Sequence, residues 1–507
     1  MQSSRPDPEA RTIEYMTRPV VSENTAPAAP LRPSANPFLA GNYAPVREEV
    51  TVTDLDVTGT IPDYLDGRYL RVGPNPLTDP DPAKHHWFLG DGMAHGLRLA
   101  DGAAHWYRNR WVRSALVARA LGEPWKPGAR GAGLDFAGNT NIIGHAGRTL
   151  VLTEAGARPY ELTEELDTVG GSDFCGTLVH GYSAHPKHDP GTGELHAVSY
   201  HPMRGNRVRY TVTGVDGRVR RAVDIELTEQ TMMHDFSLTE HYVVLYDMPV
   251  VLDFGGGPIG RAVSRFVATH SAPDAVVRAV MRGSERTRGG INAMPYRWAP
   301  EKQARIGVLP RDGHSGDIRW FEVPQCYVFH PLNAYEDGAG LVLDVVTHPS
   351  VFAVGAGLFE PPALDRWTVD LATGRVASVR LDDDPQEFPR VDERRVGRPH
   401  RYGYTIGSVM TADSSTPRTL LRHDLHTGQT RRVTFDDDGE PGEFVFVPAS
   451  ADAAEDDGVV MGFVYRRGTD RSDLVLLDAQ TLETAAVVHL PCRVPHGFHG
   501  NWVPGTG

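Results

Sequence analysis

The chain of 507 residues carries 51 Lys and Arg against 65 Asp and Glu, a formal net charge of −14. It has no lysine or arginine run, which excludes the basic footprint of a nucleic-acid binder. Hydrophobic residues make up 40% and charged residues 23%, enough for a sizeable core, yet no stretch reaches the roughly 18 apolar residues of a membrane-spanning helix.

In chain order, residues 1–35 are rich in Ser, Pro, Ala and Arg without periodicity and end in TAPAAPLRPSAN. They read as a mostly disordered lead-in with no apolar signal segment. A single folded domain is expected over 36–507, starting at NPFLAGNYAPV. The cysteines, Cys175, Cys326 and Cys492, lie far apart without a CxxC motif. That usage fits a reducing, cytoplasmic setting, and buried small residues rather than ligands. The dominant unit thereafter is strand, turn, strand: RYTVTGVDGRVRRAVDIEL, RWTVDLATGRVASVRL, LLRHDLHTGQTRRVTF and DLVLLDAQTLETAAVVHL. The last three turns fall near residues 373, 427 and 479, a spacing of about 50 that belongs to propeller blades rather than helical solenoids. At that spacing the folded part makes an all-β propeller of about seven to eight blades. The main helical candidate is 261–283, an insertion over one face or an ordinary packing helix. The glycine-rich FGGGPIG (254–260) lacks the strand, helix and downstream acid of a dinucleotide fold.

Among 22 histidines, four follow or interrupt a strand-like apolar run beside small residues or proline: His185, His234, His330 and His499. Their separations of 49, 96 and 169 residues rule out a local motif such as HExxH on one helix. In a propeller, the inner strands of different blades converge, so intervals of about one, two and three blades could bring them to one axial ion. Spacing alone leaves other readings open. His85, His86 and His95 make an alternative metal set, Glu336 a possible acid, and His496 a companion of His499.

The strings around these residues are more informative. They include IPDYLDGRYLRVGPNP (61–76), HHWFLGDGMAHGLRL (85–99), NTNIIGHAGRTLVLTEAG (139–156), MMHDFSLTEHYVVLYDMP, FHPLNAYED, EFPRVDERRVGRPHRYGY (387–404), GEFVFVP (442–448) and GFHGNW. Together they resemble the carotenoid cleavage oxygenase family from residue 36 to the end. The resemblance implies a seven-bladed β-propeller with a helical and loop dome over the active-site face. It implies one Fe(II) per chain on the axis, held by His185, His234, His330 and His499. Glu154, Glu387 and Glu443 would support His234, His330 and His499, leaving His185 without a carboxylate, and Thr140 would lie beside an open iron position. It assigns no ligand role to His85, His86, His95, His496 or Glu336.

The implied reaction inserts both atoms of O2 across a carbon–carbon double bond and gives two carbonyl products. The alkene supplies all four electrons, so no flavin, nicotinamide or haem is expected. Neutral imidazoles suit Fe(II), and four of them leave two octahedral positions open. The substrate is expected to be a small apolar polyene, a carotenoid or apocarotenoid, with a phenylpropanoid or stilbene as the alternative. Stilbene-cleaving relatives carry lysine where this chain has Thr153, which favours the polyene. Trp111, Phe136, Phe236 and Phe352 are candidates for an apolar substrate tunnel. Peripheral membrane contact is possible by analogy, and no obligate protein partner is evident. Rival classes are a metal-dependent propeller hydrolase, which needs a carboxylate- or Asn-rich axis or a water-bearing zinc, and an inert scaffold.

Overall fold

The structure is a computed structural model that describes residues 11–12, 36–128, 133–136, 138–201, 204–253, 296–352, 360–407, 418–436 and 438–505. The candidate helix 261–283 and the FGGGPIG stretch lie outside the described residues. Strands form where β-branched and aromatic residues run between Asp, Thr and Gly turns, and their burial follows their place in the sheet. The outer strand Val219–Glu226 largely alternates half-buried with exposed residues, because only one of its faces meets a neighbouring sheet. Gly67–Pro74 and Gly458–Arg466, sandwiched on both faces, are buried throughout, as strands covered on both sides must be.

Seven sheets of mainly antiparallel, sequence-consecutive strands make the blades. Blade I is built on Gly67–Pro74, Gly92–Ala100 and Ala103–Trp111; blade II runs from Asn141–His145 to Thr168–Gly171; blade III from Lys187–His188 to Val219–Glu226. Blade IV runs from Phe236–Leu238 to Arg319–Glu322, blade V from Pro331–Asp337 to Val376–Asp382 and blade VI from Gln386–Arg390 to Gln429–Thr434. Blade VII is centred on Gly458–Arg466, Arg471–Asp478 and Thr484–His489, with Val445–Pro448 as an inner strand. A central cavity of about 400 Å³ is lined by Asn141 and Ile143, Lys187, Ser237, Asn333, Arg390, Val445 and Asn501. Those residues come from the inner strand of every blade, so the cavity marks the axis.

Two strands far apart in sequence close the ring. Gly500–Pro504 pairs antiparallel with Gly67–Pro74 as the inner strand of blade I. Asp56–Gly59 pairs with Thr484–His489 at the outer edge of blade VII. The terminal loop reaches the axis by crossing blade I where two glycines meet: a Cβ on Gly73 would lie 2.4 Å from the Gly497 Cα. Only residues without side chains permit that approach. Within the lead-in, Arg11–Thr12 lies parallel to Val433–Thr434 of blade VI.

The four hairpins read from the sequence are consecutive antiparallel pairs toward the outer side of blades III, V, VI and VII. Three share one turn chemistry. Asp370, Asp424 and Asp478 each accept the backbone N–H groups two and three residues on through Oδ1, an Asx turn that fixes the reversal. The gap between His234 and His330 is one blade, not two. Tyr242–Asp247 pairs directly with Arg305–Pro310, so the sequence between them is inserted within blade IV; its described residues include the paired strands Val250–Leu252 and Tyr296–Trp298. Among the described residues no helix is long and apolar enough to cross a membrane.

Candidate metal centre

The four histidines occupy one repeated position, just before the inner strand of their blades. His185 precedes Lys187–His188, His234 precedes Phe236–Leu238, His330 precedes Pro331–Asp337 and His499 precedes Gly500–Pro504. They therefore belong to blades III, IV, V and I. In blade II the same position holds Thr140, ahead of Asn141–His145. In blades VI and VII the corresponding end of the inner strand carries Glu387 and Glu443. Glu154 follows the second strand of blade II.

Ring nitrogens of His185, His330 and His499 lie within 4.8 Å of one another. His234 joins them less symmetrically: its Nε2 is 3.3 Å from the His330 Nε2, and its ring centroid is 4.3 Å from that of His185. Three of the rings are oriented by carboxylates. His234 Nδ1 meets Glu154 Oε1 at 2.9 Å, His330 Nδ1 meets Glu387 Oε2 at 2.7 Å, and His499 Nδ1 meets Glu443 Oε1 at 2.9 Å. An ionised carboxylate only accepts, so each Nδ1 carries the proton and each Nε2 presents a bare lone pair. For His185 the nearest carboxylate, Asp235, is 3.8 Å from Nδ1 and is bound instead by Lys187 at 2.9 Å.

This arrangement fits a cation. Among the described residues the buried His185 Nε2 has no hydrogen-bond partner, a costly state for a polar atom unless an ion takes its lone pair. The lone pairs of His234 and His330 face each other at 3.3 Å, which is repulsive with nothing positive between them. A set of neutral imidazoles without a carboxylate ligand suits a transition metal such as iron, and carboxylates behind the rings are the usual second layer of such a site. Burial, then the neighbouring imidazoles, hold the His185 pKa well below its ordinary value, and burial pushes His499 down to about 4 against the pull of Glu443. At His234 burial acts downward too, but Glu154 prevails and the pKa rises. Burial raises and the surrounding donors lower Glu387 and Glu443; the donors win, and both stay well below the usual carboxylate range.

Glu443 also accepts the Gly500 N–H at 2.8 Å and lies 3.4 Å from Arg390. Glu387 accepts the Phe388 N–H at 2.6 Å and meets the His348 Nε2 at 2.8 Å. Phe388 sits at φ 52°, a strained backbone for a non-glycine residue, as functional sites often hold. Its ring stacks on His330 at 5.7 Å and meets His499 at 5.5 Å. Phe329 packs edge-on against His234 at 5.2 Å. The sequence reading missed His348, Arg390, Phe329 and Phe388. The two phenylalanines adjoin His330 and Glu387 in sequence and were findable on that ground.

Thr140 donates its hydroxyl to Asn139 Oδ1 at 3.0 Å, and its carbonyl holds the His499 N–H at 3.0 Å. Phe236 is fully buried in the main core, two residues beyond His234. Phe352 packs on Tyr296 at 5.8 Å. Trp111 packs with Met93 and Val117 at the outer side of blade I, and Phe136 is 37% exposed. His496 turns away from the axis: its Nε2 meets Glu440 at 3.0 Å and its ring packs on Tyr43. His95 bonds Tyr107, His86 accepts the Phe88 N–H, and Glu336 bonds Thr239 and His241. Among the described residues, none of these belongs to a group of three potential ligands.

Comparison with known proteins identifies the family. The family model described as retinal pigment epithelial membrane protein matches residues 43–504. A carotenoid cleavage oxygenase of Mycobacterium tuberculosis is 50% identical over 93% of this chain and 98% of its own length. The carotenoid 9,10(9',10')-cleavage dioxygenase 1 of Pisum sativum is 33% identical over 92% of this chain and 90% of its own. Among solved structures, lignostilbene dioxygenase of Pseudomonas brassicacearum superposes with a TM-score of 0.78 at 28% identity, over 93% of this chain and 99% of that one. Cobalt-substituted apocarotenoid oxygenase of Synechocystis gives 0.76 at 27%, over 92% and 98%. The chain belongs to the carotenoid cleavage oxygenase family.

Proposed function

We propose that this protein is an Fe(II)-dependent dioxygenase that cleaves a conjugated carbon–carbon double bond of a carotenoid or apocarotenoid, giving two carbonyl products. The observation that carries this reading is the convergence of His185, His234, His330 and His499, with the buried His185 Nε2 unpartnered among the described residues. The names of the relatives from Mycobacterium tuberculosis and Pisum sativum supply the substrate class, and the cobalt-substituted Synechocystis structure supports a divalent metal. His185, His234, His330 and His499 would hold the iron, which would supply the activation of dioxygen.

The chain's own groups do the rest. Glu154, Glu387 and Glu443 keep the proton on Nδ1 of three rings, so that Nε2 remains free to bind metal. Phe329 and Phe388 pack apolar surface against the rings and limit their rotation. Thr140 stands where four of the other blades carry histidines, and with its hydroxyl committed to Asn139 it would offer a bound ion no ligand. Cleavage needs no proton from the protein, since both oxygen atoms end in carbonyls and the alkene supplies four electrons. Thr153 is buried and accepts the Asn139 N–H at 3.1 Å; it carries no positive charge to hold a phenolate, which favours a polyene over a hydroxystilbene.

The test is metal analysis followed by incubation with ¹⁸O₂ and either an apocarotenal or a hydroxystilbene. One iron per chain and labelled carbonyls from the apocarotenal are expected. Labelled products from the stilbene alone move the substrate class, and absence of bound metal with no labelled product from either overturns the reading.

A further inference from the structure

We propose that His348 is a positioning residue of the metal centre, which fixes Glu387 through its second oxygen and thereby sets the direction of the His330 Nε2. The inference rests on the metal reading above and adds to it a residue that touches neither metal nor substrate. His348 is 2% exposed and directly follows Gly340–Thr347, the strand beside the one His330 precedes. Its backbone exchanges two hydrogen bonds with Tyr327, both 2.8 Å, and the neighbouring Val346 N–H is given to the His330 carbonyl at 3.2 Å. The two histidines therefore ride on one rigid frame in blade V.

Both reach the same carboxylate, which comes from blade VI. Glu387 takes His330 on Oε2 at 2.7 Å and His348 on Oε1 at 2.8 Å. An ionised carboxylate cannot donate, so His348 gives its Nε2–H. The edge of Phe329 closes on His348 at 5.1 Å and on His234 at 5.2 Å, which limits ring rotation. The three supporting carboxylates are held unequally. Glu443 has Gly500 and Arg390 for its second oxygen, Glu387 has His348, and the buried Glu154 Oε2 has no hydrogen-bond partner among the described residues. Without His348, Glu387 would keep an unsatisfied buried oxygen and a rotational freedom that His330 would inherit.

The experiment titrates metal-stripped protein with Co²⁺, reading visible absorption, alongside the melting temperature of each stripped variant. His348→Phe keeps ring packing and removes the donor; Co²⁺ affinity should fall about tenfold. His348→Gln, whose amide can still donate, should recover most of that loss. In a Glu387→Gln background, His348→Phe should cost little more, because its effect runs through that carboxylate. If the phenylalanine variant does not fold, His348→Asn, too short to span to Glu387, makes the same comparison. Wild-type affinity in His348→Phe, or an equal loss in the Glu387→Gln background, overturns the role of His348 alone. Failure of the wild type to bind Co²⁺ overturns instead the metal reading on which it rests.

Discussion

His499 and His496 are three residues apart in one loop, each facing a glutamate, and their surroundings separate their roles. His499 points with His185 and His330 toward a shared centre, whereas His496 ties Glu440 beneath Tyr43 of the N-terminal segment. His330→Ala should therefore abolish metal retention. His496→Ala should retain the metal and lose stability, by about 1–3 kcal/mol for a buried acceptor left short of a partner. Metal content by atomic spectroscopy together with melting temperature decides it; equal metal loss in both variants would refute the assignment. Glu387→Gln keeps the shape but cannot hold the same charge, and should weaken metal affinity about 10-fold to 100-fold in a competitive chelator titration. The ligand candidates were legible because each stands next to a strand-like run and within a family string. His348 was not, since VTHPS looks like any strand end until Glu387 arrives from the next blade.

The strand Gly500–Pro504 both closes the ring and places His499, so the two functions can be separated by experiment. His499→Ala keeps the ladder to Gly67–Pro74 and should lose metal with modest loss of stability. Truncation after Pro495 removes ligand and strand together, exposing the buried inner edge of blade I. Unfolding of metal-stripped samples should show the truncated chain far less stable than His499→Ala, and similar midpoints would show that Asp56–Gly59 at blade VII suffices for closure. The outer hairpins were readable from sequence because Asp-x-x-Thr turns are local chemistry, recurring at Asp370, Asp424 and Asp478. The blade count between His234 and His330 was not. An insertion between paired strands leaves no mark in residue spacing, and only the direct pairing of Tyr242–Asp247 with Arg305–Pro310 reveals that the longer gap is still one blade.

Around the whole ring, buried histidines outside the metal centre give the fold a pH dependence. Burial holds His86, His95 and His196 down at about 3, and His400 and His423 at about 4. An unfolded histidine takes a proton near 6.5. As pH falls from 6.5 toward 4, the unfolded chain binds protons that the native state refuses, so stability must fall with pH. Each such group contributes a slope of up to about 1.4 kcal/mol per pH unit. His241 and His489 lean on Glu336 and Asp473 and have raised values; their contribution is fully present below 6.5 and is lost only as pH rises through the folded value, a partial offset of opposite sign. Glu387 and Glu443 have depressed values, so what they contribute is intact above the unfolded carboxylate range and lost only below it. The window between about 4.5 and 6.5 therefore belongs to the histidines. Denaturant unfolding of metal-stripped protein at half-unit steps from pH 7.5 to 4.5 should show a steep decline below 6.5 and only a shallow change above it, where His241 and His489 lose their protons. A flat profile down to pH 5 would mean that these imidazoles take up protons in the native state, and that their burial is looser than the close packing between blades requires.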